Sequence, residues 1–228
     1  MNSKSSSVKN YRQVKESKFF VDFVRITGAL PALLWTRPKI YYAGDKKKSL
    51  VKGGVLIASN HVTFRDPLLL YCVFWRRRLR FIATKDLYKN QLLTFLFSAV
   101  GCIQVDKENV NMRTLHQAVD QLKAGNALLI FPEGQVNQES KETMDFKSGA
   151  VLMAHLSGVP IQPVFVVCPE KCFRHHIAIV GEPIDVSSMC SRFPSVEEMQ
   201  KVSNYVRQQE LQLEQYYIDH VKKDKKGE

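Results

Sequence analysis

The sequence is poor in cysteine, short of acidic residues relative to basic ones, and free of the common nucleotide-loop and hydrolase signatures. Its five cysteines, Cys72, Cys102, Cys168, Cys172 and Cys190, are odd in number and scattered over 228 residues. That excludes a small disulfide scaffold and fits free thiols in a reducing compartment. No G-x-S-x-G elbow, H-E-x-x-H helix, G-x-x-x-x-G-K-[ST] loop or G-x-G-x-x-G turn occurs. Cys168, Cys172, His175 and His176 have irregular spacing and no second knuckle, so they read as a turn with incidental thiols, and no metal site is assigned. With 45% hydrophobic and 24% charged residues, the chain is neither disordered nor a polytopic membrane protein. Its length fits one domain with an appendage.

The charge is +11, and it is uneven. Residues 1–18 hold Lys4, Lys9, Arg12, Lys15 and Lys18 against Glu16 alone. The last residues add Lys222, Lys223, Lys225 and Lys226, and a third cluster is Arg76, Arg77, Arg78 and Arg80. Such an excess suits an anionic lipid surface, nucleic acid or a phosphorylated substrate, or serves only solubility. The basic residues lie in tails rather than on one aromatic-laced face, so no nucleic-acid partner is expected.

From Phe19 to Trp35 the chain is apolar, but Asp22, Arg25 and Pro31 interrupt it and it is short for a bilayer span. The long polar stretch before it, and the lack of an A-x-A site after it, argue against a secretory signal. At 100° per residue, Phe19, Phe23, Ile26, Leu30, Leu33 and Leu34 form one stripe. Trp35, Arg37, Lys39, Tyr41 and Tyr42 follow, a mixture suited to lipid headgroups. Residues 1–42 are expected to be a basic tail and an amphipathic membrane-surface helical segment; ordinary packing on the domain is the alternative.

Residues 43–228 alternate strands with helices. Strands are expected over 54–59, 79–83, 103–105, 127–131, 161–167 and 177–180. Helices are expected over 67–74, 90–100, 112–123, 148–156 and 195–223, the last capped by Ser195 with Glu198 at its third position. The fold class is therefore α/β, a mainly parallel sheet flanked by helices. Ligands of such sheets gather beyond the carboxyl ends of strands.

Two such ends carry chemistry. In Ser59-Asn60-His61-Val62-Thr63-Phe64-Arg65-Asp66-Pro67, the Asp-Pro pair reads as a helix N-cap and first position, which leaves His61 in the preceding turn. A turn can bring the two side chains together, and a carboxylate on one imidazole nitrogen leaves the other as a base near neutral pH. Ser59 is a possible nucleophile, and a capping Asp66 beside an incidental His61 is the plainer reading. The second end is Phe131-Pro132-Glu133-Gly134, where Glu133 offers an acceptor for a hydroxyl and Gly134 allows close approach.

Together these blocks resemble the PlsC-type glycerolipid acyltransferases. His61-x4-Asp66 is similar to that family's H-x4-D motif, and Phe131-Pro-Glu-Gly134 to its F-P-E-G block. Gly101-Cys-Ile-Gln-Val-Asp106-Lys107 resembles its second block and Val159-Pro-Ile-Gln-Pro-Val164 its fourth, with minor patterns around Lys85 and Lys147. The likeness runs from about residue 50 to 185. It implies an enzyme that moves a fatty acyl group from an acyl thioester, acyl-CoA or acyl-carrier protein, to the hydroxyl of a lipid acceptor, foremost 1-acyl-glycerol-3-phosphate. It implies His61 as base, Asp66 as its orienter, and Lys85, Lys107, Glu133 and Gly134 as substrate-binding residues, with no bound cofactor or metal. Backbone N–H groups near the helix start are expected to hold the oxyanion. A location at the cytoplasmic face of a membrane follows from the lipid substrates. Two departures stand out: Val136 lies where the family has Arg, and Lys107 where Arg is usual. Another acceptor, such as a lysophospholipid or amino-acid lipid, or a noncatalytic membrane-surface protein, are the competing readings.

Overall fold

Central parallel strands are covered on both faces and so read as continuous apolar runs. In the computed structural model, Val55–Ser59 is such a strand, buried at every position. The structure describes residues 18–49, 51–63, 65–84, 101–105, 112–133, 146–169 and 174–222. In chain order the elements are α1 (Lys18–Thr36), β1 (Lys39–Tyr42), α2 (Lys46–Ser49), β2 (Val55–Ser59), α3 (Asp66–Val73), β3 (Leu79–Thr84) and β4 (Ile103–Val105). There follow α4 (Met112–Lys123), β5 (Ala127–Ile130), α5 (Gly149–Ser157), β6 (Ile161–Val167), β7 (Ile177–Val180) and α6 (Val196–Tyr216), which runs on into a π-helical turn, Tyr217–Lys222. The helix expected over 90–100 lies outside the described residues.

The seven strands form one sheet in the order β1-β7-β6-β2-β5-β3-β4. Every neighbouring pair is parallel except β6 with β7. The mainly parallel α/β sheet expected from the alternation is therefore the fold. One face is covered by α4, α5 and α6 through a core that includes Leu56, Leu115, Leu122, Leu128, Val151, Ile161 and Val206. In α4 the apolar residues recur as Leu115, Ala118, Val119 and Leu122, the one-face spacing of a helix lying on a sheet. Gly54 permits that contact, because a Cβ there would come within 2.2 Å of the Leu122 carbonyl oxygen. The other face packs Val55, Ile57, Leu129 and Val164 against Leu69 and Leu70 of α3.

Lys39–Tyr42, which composition places at a lipid headgroup, is the edge strand β1, paired in register with Ile177–Val180. The helix before it, α1, packs on α3. Its buried side is made of small residues, Ala29, Ala32 and Thr36. Four of its large residues point away: Phe23, Ile26, Leu30 and Leu34 are 53%, 62%, 67% and 70% exposed. Arg78 donates to Asp22 at 2.9 Å, and His176 and His175 contact the Thr36 and Arg37 carbonyls through Nδ1 at 2.8 and 2.9 Å. Those contacts fix which side of α1 faces outward. Among the described residues no helix is long and apolar enough to cross a membrane.

At the other end, α6 begins as its sequence indicates. The Ser195 hydroxyl accepts the Glu198 N–H at 3.1 Å, and Glu198 accepts the Ser195 N–H at 3.3 Å. This reciprocal cap satisfies two N–H groups that the first helical turn leaves without partners.

Candidate active site

Three adjacent strands end at the site. β2 lies between β5 and β6, with Ala58 opposite Ile130 on one side and Ser59 opposite Val164 on the other. Two residues beyond Ser59 the chain reaches His61, three beyond Ile130 it reaches Glu133, and two beyond Val164 it reaches Val166, so one crevice receives all three.

Asn60 anchors the first loop. Its Oδ1 accepts the Val166 N–H at 2.8 Å and its Nδ2 donates to the Val166 carbonyl at 3.0 Å. β2 has no residue left to pair there, so a side-chain amide supplies the next rung of the ladder. The turn that follows wraps around Asp66, which has no exposed surface. Its Oδ2 lies 3.0 Å from His61 Nδ1 and accepts the Val62 and Thr63 N–H groups at 2.7 Å each. Its Oδ1 accepts the Thr63 hydroxyl at 2.8 Å. Burial opposes the charge on Asp66, but the bonds from His61, the Cys168 thiol and Thr63 outweigh it and hold the carboxyl below its usual range.

Asp66 was expected to cap the helix from outside. Instead it is the first residue of α3, with Arg65 before it, and its carboxylate closes the loop behind it. The N–H groups of Val62 and Thr63, in the turn before the helix, are therefore committed to Asp66.

The His61 ring stacks on Phe131, centroids 4.0 Å apart and planes 16° from parallel. With Nδ1 held by a carboxylate, the N–H sits on Nδ1 and Nε2 is left as the acceptor. Its side chain is 16% exposed, enough for a substrate to reach. Glu133 is 5% exposed, and its Oε2 has no hydrogen-bond partner among the described residues. Burial pushes its carboxyl up, while His61 and Arg207 pull it back and Asp66 adds to the rise. A buried carboxylate oxygen with nothing to accept is costly unless a ligand supplies the donor.

The structure thus brings together His61, Asp66 and Glu133. Lys85, Lys107, Gly134 and Val136 lie outside the described residues. Ser59 has no exposed surface and its hydroxyl turns toward Asn60, so it is no nucleophile. His175 and His176, half of the irregular Cys/His cluster, contact backbone carbonyls through Nδ1.

Four neighbours were not singled out from sequence as part of the site. Cys168, treated as incidental, lies at the end of β6 with its thiol on Asp66. Burial and that neighbouring charge both push the thiol upward, so it stays protonated and able to donate. Thr63 supplies a further hydroxyl to the same carboxylate. Glu210 and Arg207 come from α6. Glu210 is 2% exposed and its carboxyl is pushed up to about 8, first by burial, then by Glu133. A signal for Glu210 existed: it continues the apolar stripe of Val202, Val206 and Leu213, where a charged residue is out of place.

The model of the family described as Acyltransferase matches residues 39–167. The chain is 26% identical over 188 residues to "1-acyl-sn-glycerol-3-phosphate acyltransferase" of Streptococcus pneumoniae, covering 79% of this chain and 68% of that one. It is 32% identical over 126 residues to "Probable 1-acyl-sn-glycerol-3-phosphate acyltransferase" of Mycoplasma pneumoniae, and that match covers 53% of this chain and 47% of the relative. The fold is like that of the 1-acyl-sn-glycerophosphate acyltransferase PlsC from Thermotoga maritima, with a TM-score of 0.63 at 20% identity over 86% of this chain and 79% of that one.

Proposed function

Because this chain belongs to the acyltransferase family, we propose that it transfers a fatty acyl group from an acyl thioester to the free hydroxyl of 1-acyl-glycerol-3-phosphate, a step of phospholipid synthesis. The observation that carries this reading is the His61–Asp66 pair at 3.0 Å beside the unpartnered buried oxygen of Glu133. His61 Nε2 takes the proton of the acceptor hydroxyl, and the Asp66 charge stabilises the imidazolium that forms. The hydroxyl oxygen bonds to the thioester carbonyl carbon, the carbon–sulfur bond breaks, and the imidazolium returns its proton to the departing thiolate. A thioester is already activated, so no acyl-enzyme is required. Glu133 Oε2 accepts a hydroxyl of the acceptor's glycerol end. Acyl-CoA and acyl-carrier protein present the same thioester, and either serves as donor.

Both substrates are lipidic, and the exposed stripe of α1 supports a place on the membrane surface. Phe23, Ile26, Leu30 and Leu34 would enter the headgroup boundary, and the basic tails would be drawn to an anionic leaflet. The described cysteines are free thiols, which favours the cytoplasmic face. Purified protein given labelled acyl-CoA and a panel of acceptors tests the reading. Phosphatidate formed from 1-acyl-glycerol-3-phosphate is the expected product. Transfer only to lysophospholipids or amino-acid lipids would contradict the acceptor, and transfer to none would contradict the activity.

A further inference from the structure

The basic cluster Arg76, Arg77, Arg78 and Arg80 plays no part in the proposed reaction, and the structure gives its members different tasks. Arg77 donates to the Val51 and Gly53 carbonyls, Arg78 pairs with Asp22 of α1 at 2.9 Å, and Arg80 is buried in β3. Arg76 is exposed, and its guanidinium lies over the Trp75 ring, 5.7 Å from the centroid. Trp75 is itself 46% exposed. Both residues stand in the turn between α3 and β3. An indole with a cation on its face offers apolar surface beside a positive charge, a combination suited to the boundary between lipid headgroups and acyl chains.

The place of this turn matters more than its composition. α1 has 19 residues, about 28 Å of helix, and runs the height of the sheet. Near its start, Asp22 is held by Arg78, which precedes the Leu79–Ala127 pair where β3 and β5 begin. At its last residue, the Thr36 carbonyl is held by His176, which precedes the pair of Ile177 with Val167 at the end of β6. The crevice with His61 is at that second end. At 100° per residue, Asp22 lies between the buried Ala29 and the outward Ile26, about 20° from one and about 40° from the other. The Arg78 bridge therefore sets the turn along the border of the outward stripe of Phe23, Ile26, Leu30 and Leu34. A similar pair stands elsewhere: the Arg192 guanidinium is 5.5 Å from the Phe193 centroid, and Phe193 is 85% exposed. That pair precedes the Ser195 cap of α6, the helix on the opposite face of the sheet, and so has no continuity with α1.

We infer that the Trp75–Arg76 turn is a second contact with an anionic lipid surface, continuous with the stripe of α1 and resting on the membrane-surface placement proposed above. Arg76 meets lipid phosphate, and Trp75 enters the headgroup boundary alongside the stripe. Held at the stripe and at the turn, α1 lies along the surface, and the crevice at its Thr36 end stays at the leaflet that carries the acceptor.

The test uses the full chain and vesicles of phosphatidylcholine with phosphatidylglycerol, with pelleting as the readout and circular dichroism to check that each variant is folded. Trp75→Ser/Arg76→Glu is expected to lower partitioning about tenfold or more, since it removes an interfacial ring and reverses a charge. Phe193→Ser/Arg192→Glu removes an aromatic–cation pair with the same change of charge and is expected to stay within about threefold of wild type. The chain has two tryptophans, so Trp35→Phe leaves Trp75 alone. On vesicle binding, the Trp75 emission should shift to the blue and be quenched by lipids with brominated acyl chains. A smaller loss in Trp75→Ser/Arg76→Glu, a loss beyond about threefold in Phe193→Ser/Arg192→Glu, or an unchanged Trp75 emission in the bound chain would each overturn the second contact. If Trp75→Ser/Arg76→Glu does not fold, the Trp75 emission decides. Wild type that does not pellet refutes the membrane-surface placement and this contact with it. Wild type that pellets and is released by Ile26→Asp/Leu30→Asp, but not by Trp75→Ser/Arg76→Glu, refutes only the second contact.

Discussion

Replacing Asp66 by Asn separates charge from shape. An Asn amide oxygen in place of Oδ2 can still accept from His61 Nδ1 and from the Val62 and Thr63 N–H groups, and the Thr63 hydroxyl can turn to accept from the new NH2. The loop should survive, with charge-assisted bonds reduced to neutral ones. At about 1 kcal/mol for each of three bonds, partly offset by no longer burying a charge, the stability loss is about 1–3 kcal/mol. The catalytic loss is larger. The carboxylate is 3.0 Å from the ring nitrogen, and a unit charge at about that separation is worth ~4 kcal/mol to an imidazolium in a protein-like dielectric. Removing it should slow the step that forms the imidazolium by about 10³-fold, within the range of general-base catalysis. The assay is kcat for labelled acyl transfer from acyl-CoA, with thermal unfolding measured beside it. The stability difference has a fixed sign with pH. The folded carboxyl lies below its ordinary 3.8, so its contribution is present above that pH and is lost as the pH falls through the lower folded value. A folded Asp66→Asn enzyme with kcat within tenfold of wild type would refute the assigned role of Asp66.

Three further outcomes follow from the geometry. Asn60→Ala removes two bonds to Val166 and leaves a buried N–H and carbonyl unpaired; it should cost about 2–4 kcal/mol in denaturant unfolding and lower kcat, and a change under 0.5 kcal/mol would contradict the ladder role. Glu210 is pushed above its ordinary 4.5 to about 8, so the native state holds a proton the unfolded chain releases, and stability falls as pH rises from about 4.5 through 8. Glu210→Gln should therefore raise Tm at pH 8.5 and change it little at pH 5, and equal shifts at both would show that the carboxyl does not titrate there. Ile26→Asp/Leu30→Asp should release the chain from vesicles containing anionic lipid without altering its unfolding, since both side chains face outward; undiminished pelleting would leave attachment to the charges alone.

Much of this molecule was legible before its structure, and for definite reasons. Val55–Ser59 and Ile161–Val167 are apolar along their length, as strands covered on both faces must be, and the Met112–Lys123 helix shows its buried face in its spacing. His61 and Asp66 were readable as a pair because a turn separates them. The position of Asp66 inside the helix was not, because Asp-Pro serves equally as a cap or a first turn. Lys39–Tyr42 misled through composition: as an edge strand it has few apolar neighbours to satisfy, so its residues look like those of a lipid interface. The parts of the site that come from distant chain, Cys168, Arg207 and Glu210, carry no local motif. Only the interrupted apolar stripe at Glu210 marked one of them.

The most direct test of the central claim is the single-turnover rate of phosphatidate formation by wild type and His61→Ala, with excess enzyme, labelled acyl-CoA and 1-acyl-glycerol-3-phosphate. His61 touches Phe131 and Asp66 but is not part of the core, so the variant should keep its native circular dichroism. The account expects wild type to form phosphatidate and His61→Ala to form it at least about 10²-fold more slowly. A folded His61→Ala enzyme that acylates this acceptor at a rate near wild type would contradict it.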